Sequence, residues 1–165
     1  MLPPKLILAP IDFSDSSRAA LDVAANMASR LGSEVLLVHV IPAIPDLPKN
    51  VSIFKEGQYD QSLNAKAEQQ LKELAATLAR KNIKARTQLG NANDVGMELI
   101  RIAESENADM IIIATHGMTG WRKIAFGSVA EKVVREAECP VLVLRAKAAT
   151  SGSDRRQTAS SSATD

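Results

Sequence analysis

The sequence contains one cysteine, Cys139, in 165 residues. A single thiol excludes an internal disulfide framework and a zinc site assembled from several cysteines. Charge of one sign is also missing: 20 Lys+Arg stand against 19 Asp+Glu, a net of +1. A chain so balanced has no electrostatic footprint for nucleic acid or for an anionic membrane. No run approaches 18 consecutive apolar residues, which excludes a membrane-spanning helix. The N-terminus, MLPPKLILAPID, lacks the basic region, long apolar core and small-residue cleavage site of a signal peptide. What is present is globular composition, 45% hydrophobic, in a chain of single-domain length. The expectation is a soluble cytoplasmic protein.

Residues 146–165 read AKAATSGSDRRQTASSSATD and contain no Leu, Ile, Val or aromatic residue. A segment without apolar surface to bury cannot offset its conformational entropy, so this tail is expected to be disordered. The folded domain is accordingly placed at residues 1–145. Within it two periods alternate. Lys5–Ile11 and Glu34–Ile41 are short apolar runs suited to strands buried on both faces. Ile83–Leu89 is a strand of mixed polarity suited to an edge, and Asp109–Ala114 and Val141–Leu144 are apolar again. Helical spacing of apolar residues marks Ser14–Leu31, Asp60–Lys81, a segment from Val95 to Ala103 following Asn91 and Asn93 as caps, and Ser128–Glu138. Pro42, Pro45 and Pro48 predict a loop. Strict βα alternation implies a parallel sheet with helices on both faces and right-handed crossovers.

Ligands of doubly wound sheets bind at the carboxyl ends of strands where the strand order reverses. Two segments qualify. One follows the first strand and holds Asp12. The other follows the fourth and runs from Ala114 through Gly117 and Gly120 to Gly127-Ser128, where a helix begins. A helix N-terminus favours an anion such as phosphate, and Gly127 leaves its backbone accessible. The same glycines also admit a plain reading, in which they serve turns and a helix start.

These segments resemble the universal stress protein A family. Its nucleotide-binding members carry glycine, two residues, glycine, nine residues, then glycine followed by Ser or Thr. Gly117, Gly127 and Ser128 match that pattern, and Ala114 stands at the first glycine position. The opening Pro10, Asp12 and Ser14–Ser17, and the ending GSVAEKVVREAECPVLVLR, also resemble the family. The resemblance implies an open, twisted, three-layer α/β fold of Rossmann-like type, with five parallel strands ordered 3-2-1-4-5. It further implies homodimerisation and, for one branch, binding of ATP or AMP, with or without Mg2+. Carried over by position, it puts Pro10, Ile11, Asp12 and Val40 around base and ribose. Thr115, Gly117, Gly127, Ser128 and Val129 would hold the phosphates, with Ala114 beside them.

Other candidates carry less. His39 sits inside a strand and reads as a satisfied core histidine. His116 is equally suited to ordering the glycine loop or touching a phosphate. Arg122 and Lys123 read as solvated cations, Trp121 and Phe126 as apolar anchors, and Cys139 as packing. There is no nucleophile elbow, P-loop or H-E-x-x-H, so efficient hydrolysis is not expected. The final strand, Val141–Leu144, is apolar on both faces and suited to pairing with a second copy. The function expected is nucleotide binding in a signalling or protective stress dimer. The alternatives are a dimeric interaction or chaperone-like module without nucleotide, and a slow ATPase.

Overall fold

A computed structural model of the chain describes residues 3–43, 56–115 and 127–145. The glycine loop at 116–126, the tail from Ala146 and the segment containing Pro45 and Pro48 lie outside these residues. The elements are β1 (Leu6–Pro10), α1 (Asp15–Leu31), β2 (Glu34–Pro42), α2 (Glu56–Arg80), β3 (Ala85–Ala92), α3 (Val95–Ser105), β4 (Met110–Thr115), α4 (Ser128–Glu136) and β5 (Val141–Arg145). They form one parallel five-stranded sheet in the order β3-β2-β1-β4-β5. The expected alternation and strand order are both present.

Period-two alternation assigns each strand residue to a layer. Ile7 and Ala9 of β1 with Ile11 just beyond it, Val35 and Leu37 of β2, and Ile112 of β4 join one core cluster with α1 and α2. Leu8, Leu36, Val38, Val40, Ile111 and Ile113 point the other way, into a second cluster with α3 and α4. Apolar residues at consecutive positions are therefore required, because both faces of the sheet are covered. On α1 the buried stripe is mostly alanine, Ala20, Ala24, Ala25 and Ala28, which lets that helix sit close to the strands. Its ends are set locally: the Ser14 hydroxyl accepts from the Ser17 N–H, and Gly32 stops the helix at φ 71°.

Three sequence expectations shift. The third strand runs Ala85–Ala92 rather than 83–89, because pairing with β2 continues through His39↔Leu89, Val40↔Gly90 and Ile41↔Asn91. Tertiary pairing here overrides the weak local preference for glycine and asparagine. Asn91 is thus a strand residue, and α3 is capped instead by Asp94, whose Oδ1 accepts from the Met97 N–H at 3.1 Å. Pro42, expected in a loop, closes β2 opposite Ala92. Alternation along β2 directs its missing N–H toward β1, which has already ended at Pro10 opposite Val38. No hydrogen bond is forfeited there.

Leu36 is fully buried in the α3/α4 cluster. Leu36→Ala is expected to cost about 2–5 kcal/mol of unfolding free energy, measured by chemical denaturation, through lost transfer energy and the cavity left behind. A loss well under 1 kcal/mol would contradict this packing.

Candidate functional site

The chain proceeds from β1 outward to β2 and β3, then returns to the other side of β1 to build β4 and β5. The order reverses between β1 and β4, and a cleft opens there. The pairing itself shows why. β1 and β2 stay in register from Leu6↔Glu34 to Pro10↔Val38, whereas β1 and β4 share only Ile7↔Met110 and Leu8↔Ile111. Backbone groups of odd residues of β1 face β2, as the Lys5 carbonyl and the Ile11 N–H show, and the Leu6 carbonyl faces β4. The next donor toward β4 would belong to Pro10, which has none. The ladder stops, and the strands part into a cleft of about 280 Å³.

The cleft floor is apolar, supplied by Val38 and Val40 from β2 and Ile113 from β4. Its rim is polar. Asp12 is held in a turn, with its Oδ1 accepting the Ser14 N–H at 3.0 Å and the Ser14 hydroxyl at 2.5 Å. The Ser14 oxygen in turn caps α1. Asp12 therefore stands at the cleft and also braces the helix entry, so the two roles are not exclusive.

Gly127, Ser128 and Val129 form the opposite wall. Gly127 is the N-cap of α4 and provides no side-chain cap, in contrast to Ser14 on α1 and Asp94 on α3. Among the described residues, the first-turn N–H groups of α4 therefore have no side-chain cap. Gly127 itself has φ −59°, open to any residue, and a Cβ there would meet no described atom within 4 Å. Neither backbone geometry nor packing among the described residues demands glycine.

Of the sequence-derived site residues, Pro10, Ile11, Asp12, Val40, Ala114, Thr115, Gly127, Ser128 and Val129 line this one cleft. Gly117 lies outside the described residues, as do His116, Gly120, Trp121, Arg122, Lys123 and Phe126. Thr115 is not in a loop but ends β4, buried, with its hydroxyl 3.4 Å from the Leu144 carbonyl. Ladder pairing with β5, Thr115↔Arg145, draws it into the strand. Ala114 is half-buried, and its alternation with Ile113 turns its methyl toward the α1/α2 core. Sequence reading missed two walls: Ser16 and Ser17 on α1, and Val95 and Leu99 on α3. Their helical patterns were legible, but not which turn would meet the strand ends. Cys139 is half-buried among apolar groups, and burial raises its thiol pKa, which disfavours the reactive thiolate.

Among the described residues no helix is long and apolar enough to cross a membrane, and no cluster of His, Cys, Asp or Glu could hold a metal ion. The fold and cleft define a doubly wound α/β protein with a ligand-sized site at its topological switch point. Residues 4–145 match the sequence profile of the universal stress protein family. The chain belongs to that family. Universal stress protein MJ0531 of Methanocaldococcus jannaschii is 32% identical over 144 residues, covering 86% of this chain and 82% of that one. The solved structure of MJ0577, from the same organism, superposes with a TM-score of 0.73 at 28% identity, covering 89% of this chain and 99% of that one. An Archaeoglobus fulgidus universal stress protein solved in complex with dAMP shares the fold, with a TM-score of 0.61 at 21% identity, covering 87% of this chain and 98% of that one.

One ion pair ties two walls of the cleft together. Asp94, the cap of α3, accepts from Lys132 of α4, and the Lys132 stem lies where a Cβ on Gly96 would be 3.0 Å away. The Lys132 ammonium, and secondarily the Met97 N–H, hold the Asp94 carboxyl below its usual pKa. Asp94 in return raises the Lys132 pKa. A depressed carboxylate pKa means stabilisation that is full above the unfolded value, about 4, and lost as pH falls below it. A raised lysine pKa means stabilisation lost only as pH climbs past about 10. Asp94→Asn keeps an N-cap acceptor and removes the charge. Its melting temperature is expected to fall below wild type at neutral pH and to converge with it near pH 3, with a smaller gap in high salt. A gap unchanged across that range would contradict the ion pair.

Proposed function

We propose that this chain binds an adenine nucleotide, ATP or AMP, in the β1/β4 cleft and acts in the stress response as a signalling or protective homodimer in the cytoplasm. The observation that carries the reading is the uncapped first turn of α4, which opens at Gly127 and Ser128 beside an apolar floor. First-turn N–H groups without a side-chain cap among the described residues, together with the helix dipole, suit phosphate, and Val38, Val40 and Ile113 suit the flat face of a base. The dAMP complex of the A. fulgidus relative supports the same ligand class.

In this reading Pro10, Ile11, Asp12 and Val40 surround base and ribose, with the Asp12 carboxylate accepting from ribose or base. Thr115, Gly127, Ser128 and Val129 hold the phosphates, joined by Gly117, and Mg2+ accompanies a triphosphate where it binds. No lysine or arginine lines the cleft among the described residues.

A second reading starts from Ala114, which stands where the family pattern has glycine, although its methyl turns toward the α1/α2 core. If that departure impairs the site, the chain is a dimeric interaction or chaperone-like module without nucleotide. Calorimetric titration of nucleotide-stripped protein with ATP, ADP and AMP separates the two. Gly127→Val is expected to abolish binding by filling the phosphate end, with little change in melting temperature because a Cβ there meets no described atom within 4 Å. Ala114→Gly raises affinity if the methyl crowds the ligand and leaves it unchanged if the ligand already fits. No binding by wild type or Ala114→Gly up to about 1 mM, roughly 4 kcal/mol of affinity, would overturn the nucleotide reading.

The dimer is assigned to β5. Among the described residues this strand is outermost in the sheet and pairs with β4 alone, leaving one apolar edge without a ladder. Apolar edges of this kind are rarely left unpaired, and two-fold pairing satisfies both copies alike. Val143→Lys is expected to give folded monomers by sedimentation, with unchanged far-ultraviolet circular dichroism. A wild-type monomer at micromolar concentration would refute the assignment.

A further inference from the structure

Ile11, the first residue beyond β1, is fastened to β2 through both of its peptide groups. Its N–H donates to the Val38 carbonyl at 2.8 Å, and its carbonyl lies 2.6 Å from Nδ1 of His39. A carbonyl can only accept, so Nδ1 carries the proton in this contact. Two residues on, Phe13 has φ 63°, a left-handed conformation strained for a bulky side chain. Its ring rests against the His39 imidazole, with centroids 4.6 Å apart and planes inclined at 43°. Asp12 stands between these two anchored residues, its carboxylate engaged by Ser14.

Each fact points to one side chain. His39 lines the cleft, is half-buried, and contacts both Ile11 and Phe13. We propose that His39 is a positioning residue for the nucleotide site: it donates Nδ1–H to Ile11 and supports the Phe13 ring, fixing the β1–α1 turn that presents Asp12 to the cleft. The ligand consequence rests on the nucleotide reading above, whereas the turn geometry does not. Without the imidazole the Ile11 carbonyl loses its partner and the left-handed Phe13 loses the ring contact that offsets its strain. The turn then relaxes, and Asp12 leaves its place at the rim.

Two substitutions separate the hydrogen bond from the bulk. His39→Phe keeps a ring and removes the donor. His39→Asn removes the ring and places an amide nitrogen near the position of Nδ1. Hydrogen exchange of the 11–14 backbone amides is read in the ligand-free protein, and ATP affinity by calorimetry. His39→Phe is expected to speed exchange at the Ser14 amide and to weaken ATP binding about tenfold, some 1.4 kcal/mol. His39→Asn is expected to recover the part of both effects due to the hydrogen bond and to keep a smaller loss from the missing ring contact, about threefold in affinity, under 1 kcal/mol. A loss as large as that of His39→Phe overturns the hydrogen-bond role.

Wild-type exchange in His39→Phe overturns the proposal, and so does altered exchange with undiminished affinity. If wild type binds none of ATP, ADP and AMP, the nucleotide reading fails, and the exchange pattern alone judges His39. Should His39→Phe fail to fold, the imidazole nitrogen shifts of wild type decide. The neutral ring is expected to carry its proton on Nδ1, and a ring protonated on Nε2 overturns the proposal.

Discussion

A parallel sheet is held by its ladders of N–H to carbonyl bonds, and in this chain one ladder is cut short by a residue that has no N–H. Pro10 sits at the position where β1 would next donate to β4. To its other side β1 remains bonded to β2 up to that same residue. The asymmetry opens the sheet at one seam and keeps it closed at the neighbouring one. Most of the proposed site lies along that seam: Asp12 just beyond β1, Ala114 and Thr115 at the end of β4, and α4 across the gap.

The rim of the cleft is then shaped by how helix ends are satisfied. α1 and α3 begin with side chains that accept from their own first-turn amides, Ser14 and Asp94. α4 begins with Gly127 and has no such side-chain cap among the described residues. Buried or half-buried backbone donors need partners, so this difference marks where an outside acceptor is best received. The Asp94–Lys132 pair keeps α3 and α4 together a turn behind, and Gly96 permits their close approach. Polar groups thus serve the rim, and packing serves the floor.

Much of the fold was legible because both sheet faces are covered. Runs such as LILA and MIII have no polar alternate positions, and only a two-sided strand makes that sensible. The boundaries were less legible. β3 extends through Gly90 and Asn91 because β2 offers it partners, a fact held by another part of the chain. Asn91 and Asn93 looked like caps for α3, yet Asp94 is the residue whose carboxylate reaches the Met97 amide. Pro42 looked like a loop residue, and it closes a strand because its missing donor faces a neighbour that has already ended.

The sequence by itself determined the class of architecture and pointed to the ends of the cleft: alternating apolar periods demand a layered sheet, and Pro10, Asp12, Gly127 and Ser128 are local signals at strand ends and a helix start. Only the tertiary structure decided that the cleft has a third and fourth wall, on α1 and α3, and that His39 reaches back to Ile11. The reason is physical. Period and capping are properties of neighbours along the chain, whereas a cleft is made by which ladder breaks and which side chains crossovers bring to the break. His39 and Ile11 are 28 residues apart, and nothing local to either one records the other.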